Sequence, residues 1–380
     1  MHREKTDKIR ITIHCGDARE MLPSFPEGVF QCAVTSPPYW RLRLYPSLPD
    51  SVWDGDAHCQ HDWVEEGQHA SRCRSCGAWK GQLGQEPDPD EYAAHLAEVC
   101  RPLRRVLRAD GTLWMVLGDT YVQRRTGNLP PKSLADIPSR VARALQEDGW
   151  IPRSRIIWAK TNPTPSSVKD RPVSTYEVIL LLSKSSKYYF DWAGSKEETE
   201  DGGVHMMRDV WLIPTSHRPR LPGLPTHFAT FPLEIPLKAL AAGASLGGAC
   251  PVCGAPRLRK VRVHRPVRGC WHDNRANEVI GQRCVGLQRK EYRIEFLGWE
   301  WSCKCHRHGV SRCLVLDPFA GAGTTLLAAA KLGFDAVGID ADPLAVALAR
   351  RRLQAEVGLI ADIRVSNHHG QEGVERGGRP

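Results

Sequence analysis

The run "IRITIHCGDARE" alternates apolar and polar positions around Ile11 and Ile13, which predicts a strand, a turn at Gly16-Asp17 and a short helix. "GVFQCAVTS" is apolar almost throughout, the pattern of a strand buried on both faces of a parallel sheet. From Asp90 to Arg108 the period becomes helical, with Tyr92, Leu96, Val99, Leu103, Val106 and Leu107 on one face. Asp110-Gly111 is expected to end that helix, and "TLWMVLGD" to follow as a strand. "IPSRVARALQEDGW" reads as a helix stopped at Gly149, "RSRIIWAK" and "YEVILLLSKS" as strands, and the proline-rich "TNPTPSSVKDRP" between them as a loop. "PLEIPLKALAAGA" is a helix. Near the end, "CLVLD", "TTLLAAAKLG", "FDAVGID" and "PLAVALARRRLQAE" alternate strand, helix, strand, helix.

That alternation predicts an α/β fold on a mostly parallel sheet. The core is expected over residues 1–248 and 313–365. Two stretches break it, 41–84 and 249–312, both irregular and cysteine-bearing. Residues 191–226 are polar and proline-rich, and the tail 366–380 is Gly-rich and expected to be disordered. No apolar stretch reaches the roughly 18 residues a bilayer span needs. The start, "MHREKTDKIR", lacks the apolar segment of a secretory leader. A cytoplasmic protein without a membrane partner is the expectation.

The net charge of +9, from 52 Lys and Arg against 43 Asp and Glu, favours phosphate-bearing partners. Thirteen cysteines without a leader point to metal ligands or isolated buried thiols rather than disulfides. Cys15, Cys32, Cys100 and Cys313 sit in apolar segments and read as core. "CQHDWVEEGQHASRCRSCGAW" sets Cys59-x-His61, then eleven residues, then Cys73-x-x-Cys76, four soft ligands suited to tetrahedral zinc. His58 or His69 could replace His61. A second set joins Cys250, Cys253, Cys303 and Cys305, with Cys270, Cys284, His306 and His308 as alternative ligands. Basic zinc modules of this kind suit contact with a DNA backbone, or serve structure alone.

"VLDPFAGAGTTLLAAA" is a strand, a Gly-containing turn and a helix start in succession, the place where an open α/β sheet binds a ligand. Gly321 and Gly323 let backbone approach that ligand closely. Asp340, twenty-three positions after Asp317, ends the next strand, where a carboxylate accepts hydrogen bonds from both ribose hydroxyls. The turn is neither G-x-G-x-x-G nor a P-loop, which favours a nucleoside ligand without phosphate. At the other end of the chain, "TSPPYW" leaves a buried strand through Thr35, Ser36, Pro37, Pro38 and Tyr39, and proline cannot continue a ladder.

Together "TSPPYW" and "DPFAGAGTT" resemble the two signature motifs of amino-group DNA methyltransferases, the N4-cytosine/N6-adenine family, in the motif order of its beta class. The resemblance covers nearly the whole chain apart from the tail. It implies a circularly permuted, Rossmann-like S-adenosylmethionine-dependent methyltransferase fold of seven strands, in which "CLVLD" is the usual first strand. It implies S-adenosylmethionine bordered by Thr35, Asp317, Phe319, Gly321, Gly323 and Thr324, with its ribose on Asp340 and its adenine near Asp17. Phe228, Thr230, Phe231 and Pro232 of "HFATFP" would wall the methionine side. It also implies that Ser36 Oγ and the Pro37 carbonyl accept the N–H groups of the target amine, with Pro38 stiffening the loop and Tyr39 stacking on a flipped base. Cys32, inside its strand, is not a nucleophile.

The expected reaction is methylation of double-stranded DNA at cytosine N4, with adenine N6 as the alternative and a cognate restriction endonuclease as a possible partner. The 191–226 stretch stands where such enzymes recognise their target. A zinc nucleic-acid-binding protein with an inactive methyltransferase core is the reading from another class. The intact Ser-Pro-Pro-Tyr, Asp317 and Asp340 stand against it.

Overall fold

A computed structural model describes residues 8–66, 70–198, 204–215, 231–264, 293–305 and 309–367. Strand β1 (Ile9–Cys15) runs into the one-turn helix α1 (Ala18–Met21), whose N-cap Asp17 accepts from the Arg19 amide. β2 (Phe30–Thr35) is buried along its whole length, as its unbroken apolar pattern requires. The stretch 41–84 is not irregular but a small antiparallel sheet. It holds β3 (Ser51–Trp53), β4 (Trp63–Glu65), β5 (Ser71–Cys73) and β6 (Trp79–Gly81) in the order β3-β6-β5-β4. Strands of three residues are too short for alternation to show in a sequence.

Helix α2 (Pro89–Val106) is capped by Asp88 and buries Tyr92, Leu96, Val99 and Leu103. Its end departs from expectation, because β7 (Leu107–Leu117) starts at once. Leu107 pairs with Phe30 and Thr112 with Cys32, so residues 108–111 bulge from the ladder, and Asp110-Gly111 marks that bulge rather than a helix stop. Helix α3 (Ile137–Glu147), β8 (Ile151–Ala159) and β9 (Tyr176–Ser183) follow the sequence pattern. Within 191–226 the described residues form the paired β10 (Glu197–Glu198) and β11 (Val204–His205), then β12 (Val210–Leu212).

After α4 (Glu234–Gly243), the stretch 249–312 carries a long hairpin, β13 (Arg257–His264) with β14 (Arg293–Trp301), where irregular chain was expected. Then β15 (Leu314–Asp317), α5 (Thr324–Leu332), β16 (Asp335–Asp340) and α6 (Pro343–Val357) alternate as read. β17 (Ala361–Asn367) takes in Ser366 and Asn367, which therefore belong to the sheet and not to the tail, while 368–380 lie outside the described residues.

The main sheet has nine strands, β12-β8-β9-β7-β2-β15-β16-β1-β17, two more than expected because β12 and β17 extend its edges. Only β9 runs antiparallel to its neighbours. The late strand β15 lies between the early β2 and β16, which is the permuted arrangement implied by the motif order. On one face α4, α5 and α6 pack Leu240, Leu327, Val346 and Leu353 against the sheet. On the other, α2 and α3 bring Leu96, Leu103, Val141 and Leu145, and the small sheet adds Trp53 and Trp79. Among the described residues no helix is long and apolar enough to cross a membrane.

Candidate active site and cysteine clusters

Parallel strands gather their carboxyl ends on one rim. Here β2 delivers Thr35 and Ser36, β15 delivers Asp317, β16 Asp340 and β1 Asp17. Ser36, Asp17 and Asp340 border a cavity of about 430 Å³ together with Pro37, Pro38, Tyr39, Phe231, Phe319, Gly321 and Thr324, while Thr35 and Asp317 are buried and not part of its lining. The two motifs touch directly, Thr35 Oγ1 donating to Asp317 Oδ1 at 2.6 Å. The Phe319 amide donates to the same oxygen, and the Thr325 hydroxyl also interacts with the carboxyl. Burial pushes the Asp317 carboxyl up to about 6.

Asp340 Oδ2 accepts from the Gly321 amide at 2.7 Å and Oδ1 from the Asp342 amide at 2.9 Å. Burial raises its pKa to about 6 as well. Gly321 and Gly323 have φ of 51° and 74°, the left-handed region that a residue with Cβ enters at a cost. Gly321 faces the cavity, whereas Gly323 stands against α6, where an added Cβ would lie 3.1 Å from Ala349 Cβ.

Other residues are more committed. Asp17 borders the cavity, but its carboxylate accepts from Arg19 and from Ser51 Oγ. The Thr324 hydroxyl accepts from Arg352 at 2.9 Å. Pro232 is buried, and Phe228 and Thr230 lie outside the described residues. Cys32 is fully buried, and burial pushes its thiol up to about 12, so it is inert as the strand position implied.

Tyr39 is held at its hydroxyl. Its hydroxyl donates to Glu177 Oε2 at 2.5 Å, and Glu177 Oε1 accepts from Lys160 Nζ at 2.6 Å. Ser36 Oγ stands 3.4 Å from that hydroxyl, long for an O–H···O bond. The Pro38 carbonyl accepts from Tyr92 OH at 2.8 Å, which ties the Pro-Pro loop to α2. Glu177 and Lys160 went unnoticed in the sequence because neither lies in a motif. Lys160 follows β8, and Glu177 opens β9, which reaches this rim only because it runs antiparallel.

The small sheet of 41–84 forms part of the same cavity wall through Leu42, Arg43, Tyr45, Ser51, Trp53 and Gln82. Arg19 connects the two, donating to Asp17, to the Val52 carbonyl and to Glu98, and lying 3.6 Å over the Trp53 ring. Behind this wall Cys59, His61, Cys73 and Cys76 place their donor atoms within 4.8 Å of one another. Cys59 and Cys73 sulfurs stand 3.8 Å apart, the edge of a tetrahedron with about 2.3 Å metal–sulfur bonds. His61 Nδ1 is 3.4 Å from Cys76 Sγ, so His61 and not the exposed His58 completes the set; His69 lies outside the described residues.

Cys250, Cys253, Cys303 and Cys305 converge equally, within 4.8 Å. The alternatives Cys270, Cys284, His306 and His308 lie outside the described residues. This cluster is at the opposite rim. Gln31, at the start of β2, donates to the Gly254 carbonyl, and Arg108, at the start of β7, to the Cys253 carbonyl at 2.6 Å.

A family model described as DNA methylase, of N6/N4 type, matches residues 30–248 and 311–351. The Type II methyltransferase M.SmaI of Serratia marcescens is 33% identical over 299 residues, 73% of this chain and 85% of the relative. M.Cfr9I of Citrobacter freundii, also a Type II methyltransferase, is 35% identical over 257 residues, 62% of this chain and 73% of the relative. In fold, the chain is similar to a Thermus thermophilus protein assigned as a DNA modification methylase and complexed with S-adenosyl-L-methionine. That match has a TM-score of 0.52 at 22% identity and covers 94% of this chain and 98% of the other. The cytosine-N4-specific PvuII DNA methyltransferase also matches in fold, with a TM-score of 0.52 at 16% identity over 90% of this chain and 88% of that one.

Proposed function

The chain belongs to the DNA methylase family, and on that premise we propose that it transfers a methyl group from S-adenosylmethionine to the exocyclic amine of a base flipped out of duplex DNA, cytosine N4 in preference to adenine N6. The observation that carries this reading is the meeting of "TSPPYW" and "DPFAGAGTT" on adjacent strands, joined by the 2.6 Å bond between Thr35 and Asp317.

The cavity's residues fit the cofactor. Asp340 offers the cavity a carboxylate positioned by two amides, and the buried Asp317 near it adds negative charge suited to a cationic ligand. Bound there, S-adenosylmethionine would supply a methyl group on a positively charged sulfur. Asp340 would hold the ribose, Asp17 would stand beside the adenine, and Phe231, Phe319 and Thr324 would wall the site. Ser36 Oγ and the Pro37 carbonyl accept the two N–H groups of the target amine, turning its lone pair out of conjugation and toward the methyl group. Stacking on Tyr39 offsets the few kcal/mol that extruding the nucleotide costs. Rate then comes from orientation, without a covalent enzyme intermediate.

Ser36 favours cytosine because it is a neutral acceptor beside the smaller ring, where adenine enzymes resembling this one more often carry Asp. Zinc is proposed at both cysteine clusters as a structural ion, on the donor chemistry and the convergence of four ligands in each. Relatives named Type II methyltransferases support a companion restriction endonuclease. Nucleoside mass spectrometry of DNA incubated with protein and cofactor tests the reading, with N4-methylcytosine expected. N6-methyladenine alone would reverse the choice of base, and no methylated nucleoside would end the enzyme reading.

A further inference from the structure

A base-stacking ring works best if it is already in place, because ordering a mobile side chain on binding costs affinity. Tyr39 is constrained on two sides. Beneath it lies Gly118, at the end of β7, so close that an added Cβ would stand 2.6 Å from ring atoms Cδ2 and Cε2. At its far end the hydroxyl donates to Glu177 Oε2 at 2.5 Å. Glu177 is in turn held by Lys160 at 2.6 Å, with 15% and 22% of the two side chains exposed. All three charged or phenolic groups line the cavity that holds Ser36 and Asp340.

An ion pair half removed from water gains little stability and often costs some, so a packing role alone does not explain it. Lys160 also offsets a carboxylate that would otherwise repel an incoming phosphate backbone. Burial, and then the Glu177 charge, push the Tyr39 phenol well above its ordinary value, so the ring stays a neutral donor.

We propose that Gly118, Glu177 and Lys160 are positioning residues that fix Tyr39 as the preset platform for the flipped base, acting on the base step and not on the cofactor. The proposal rests on the reading of the site as a DNA amino methyltransferase. The step it serves forms the bond from the amine nitrogen to the methyl carbon and breaks the methyl–sulfur bond, whose electron pair stays on the sulfur, and the proton of the methylated amine then passes to solvent water.

The test uses the full chain and a duplex carrying 2-aminopurine at the target position, a fluorescent report of an unstacked base. Wild-type methyl transfer is read first; none to any DNA would overturn the functional reading itself, and is thereby told apart from failure of the positioning role. Tyr39→Phe and Glu177→Gln are each expected to lower kcat about tenfold, with unchanged cofactor affinity by calorimetry and weaker 2-aminopurine fluorescence. The double variant should fall within about twofold of the worse single, because both remove one interaction. Gly118→Ala should share the signature, and Lys160→Gln should give a smaller version of it should Glu177→Gln fail to fold. Multiplying losses in the double variant, a loss confined to cofactor affinity, or wild-type kcat in Glu177→Gln would overturn the proposal.

Discussion

The two cysteine clusters have nearly the same donors and opposite surroundings. Cys59, His61, Cys73 and Cys76 sit behind a wall of the cavity, where Ser51 reaches Asp17 and Trp53 lies under Arg19. Cys250, Cys253, Cys303 and Cys305 sit at the amino ends of β2 and β7, on Gln31 and Arg108. β2 has six residues, so the two rims are separated by about 20 Å of sheet at roughly 3.3 Å per residue. Ligand spacing picked out the residues that converge in each cluster but not what each cluster supports. That follows from where each segment leaves the sheet. The first is inserted after β2 and before a helix, at the carboxyl rim; the second is inserted after a helix and before β15, at the amino rim.

Charge follows the same lesson. The second module, rich in arginine and lysine, suited contact with a DNA backbone or a structural role alone. On the described hairpin, Arg259 pairs with Asp191 at 2.9 Å, Lys260 with Glu300 at 2.5 Å and Arg262 with Glu295 at 3.1 Å. Cations satisfied in this way contribute less to an outward field than their number in the sequence implies.

The contrast between the rims can be broken most sharply by rate. Ser36→Ala is expected to cut kcat by roughly 100- to 1,000-fold while keeping cofactor affinity, since the acceptor acts mainly in the transition state. Cys253→Ala should leave kcat within about twofold of wild type. Equal losses would mean that the amino rim takes part in the reaction.

A smaller effect separates the two clusters themselves. Elemental analysis of undenatured protein should find about two zinc ions per chain, and Cys76→Ala and Cys253→Ala should each lose one. Only Cys76→Ala should weaken cofactor binding, by about tenfold, as loss of the Ser51 contact and the Trp53 wall implies. A calorimetric affinity that responds equally to both, or to neither, breaks the comparison.

The smallest effect is the pH response of the carboxyl rim. Both Asp317 and Asp340 have pKa values raised to about 6, so the folded protein holds more protons than the unfolded chain between the ordinary carboxylate range and that value. Folding stability is therefore expected to fall as pH rises through this window. Cofactor affinity should move oppositely, because a cation with hydroxyl donors prefers the ionised carboxylates. Half-ionisation at about pH 6 lowers affinity about twofold for each group relative to alkaline pH. Asp340→Asn should bind more weakly and lose its share of the slope, and an unchanged slope would take Asp340 out of the ligand's contacts.

Local patterns determined much of this protein. The unbroken apolar run of β2, the strand–Gly turn–helix around Asp317 and the C-x-x-C knuckles were legible because each depends on residues close in the chain. The Thr35–Asp317 contact joins residues 282 apart and was foreseen only as motif order. Tertiary structure alone decided the rest. It paired β12 and β17 onto the sheet edges, made hairpins of stretches without visible period, and sent the two clusters to opposite rims. It also turned β9 antiparallel, which carries Glu177 to Tyr39 across 138 positions. Periodicity records which face of an element is buried, whereas the direction and neighbours of a strand are set by ladder pairing and packing across the whole chain, which no single segment contains.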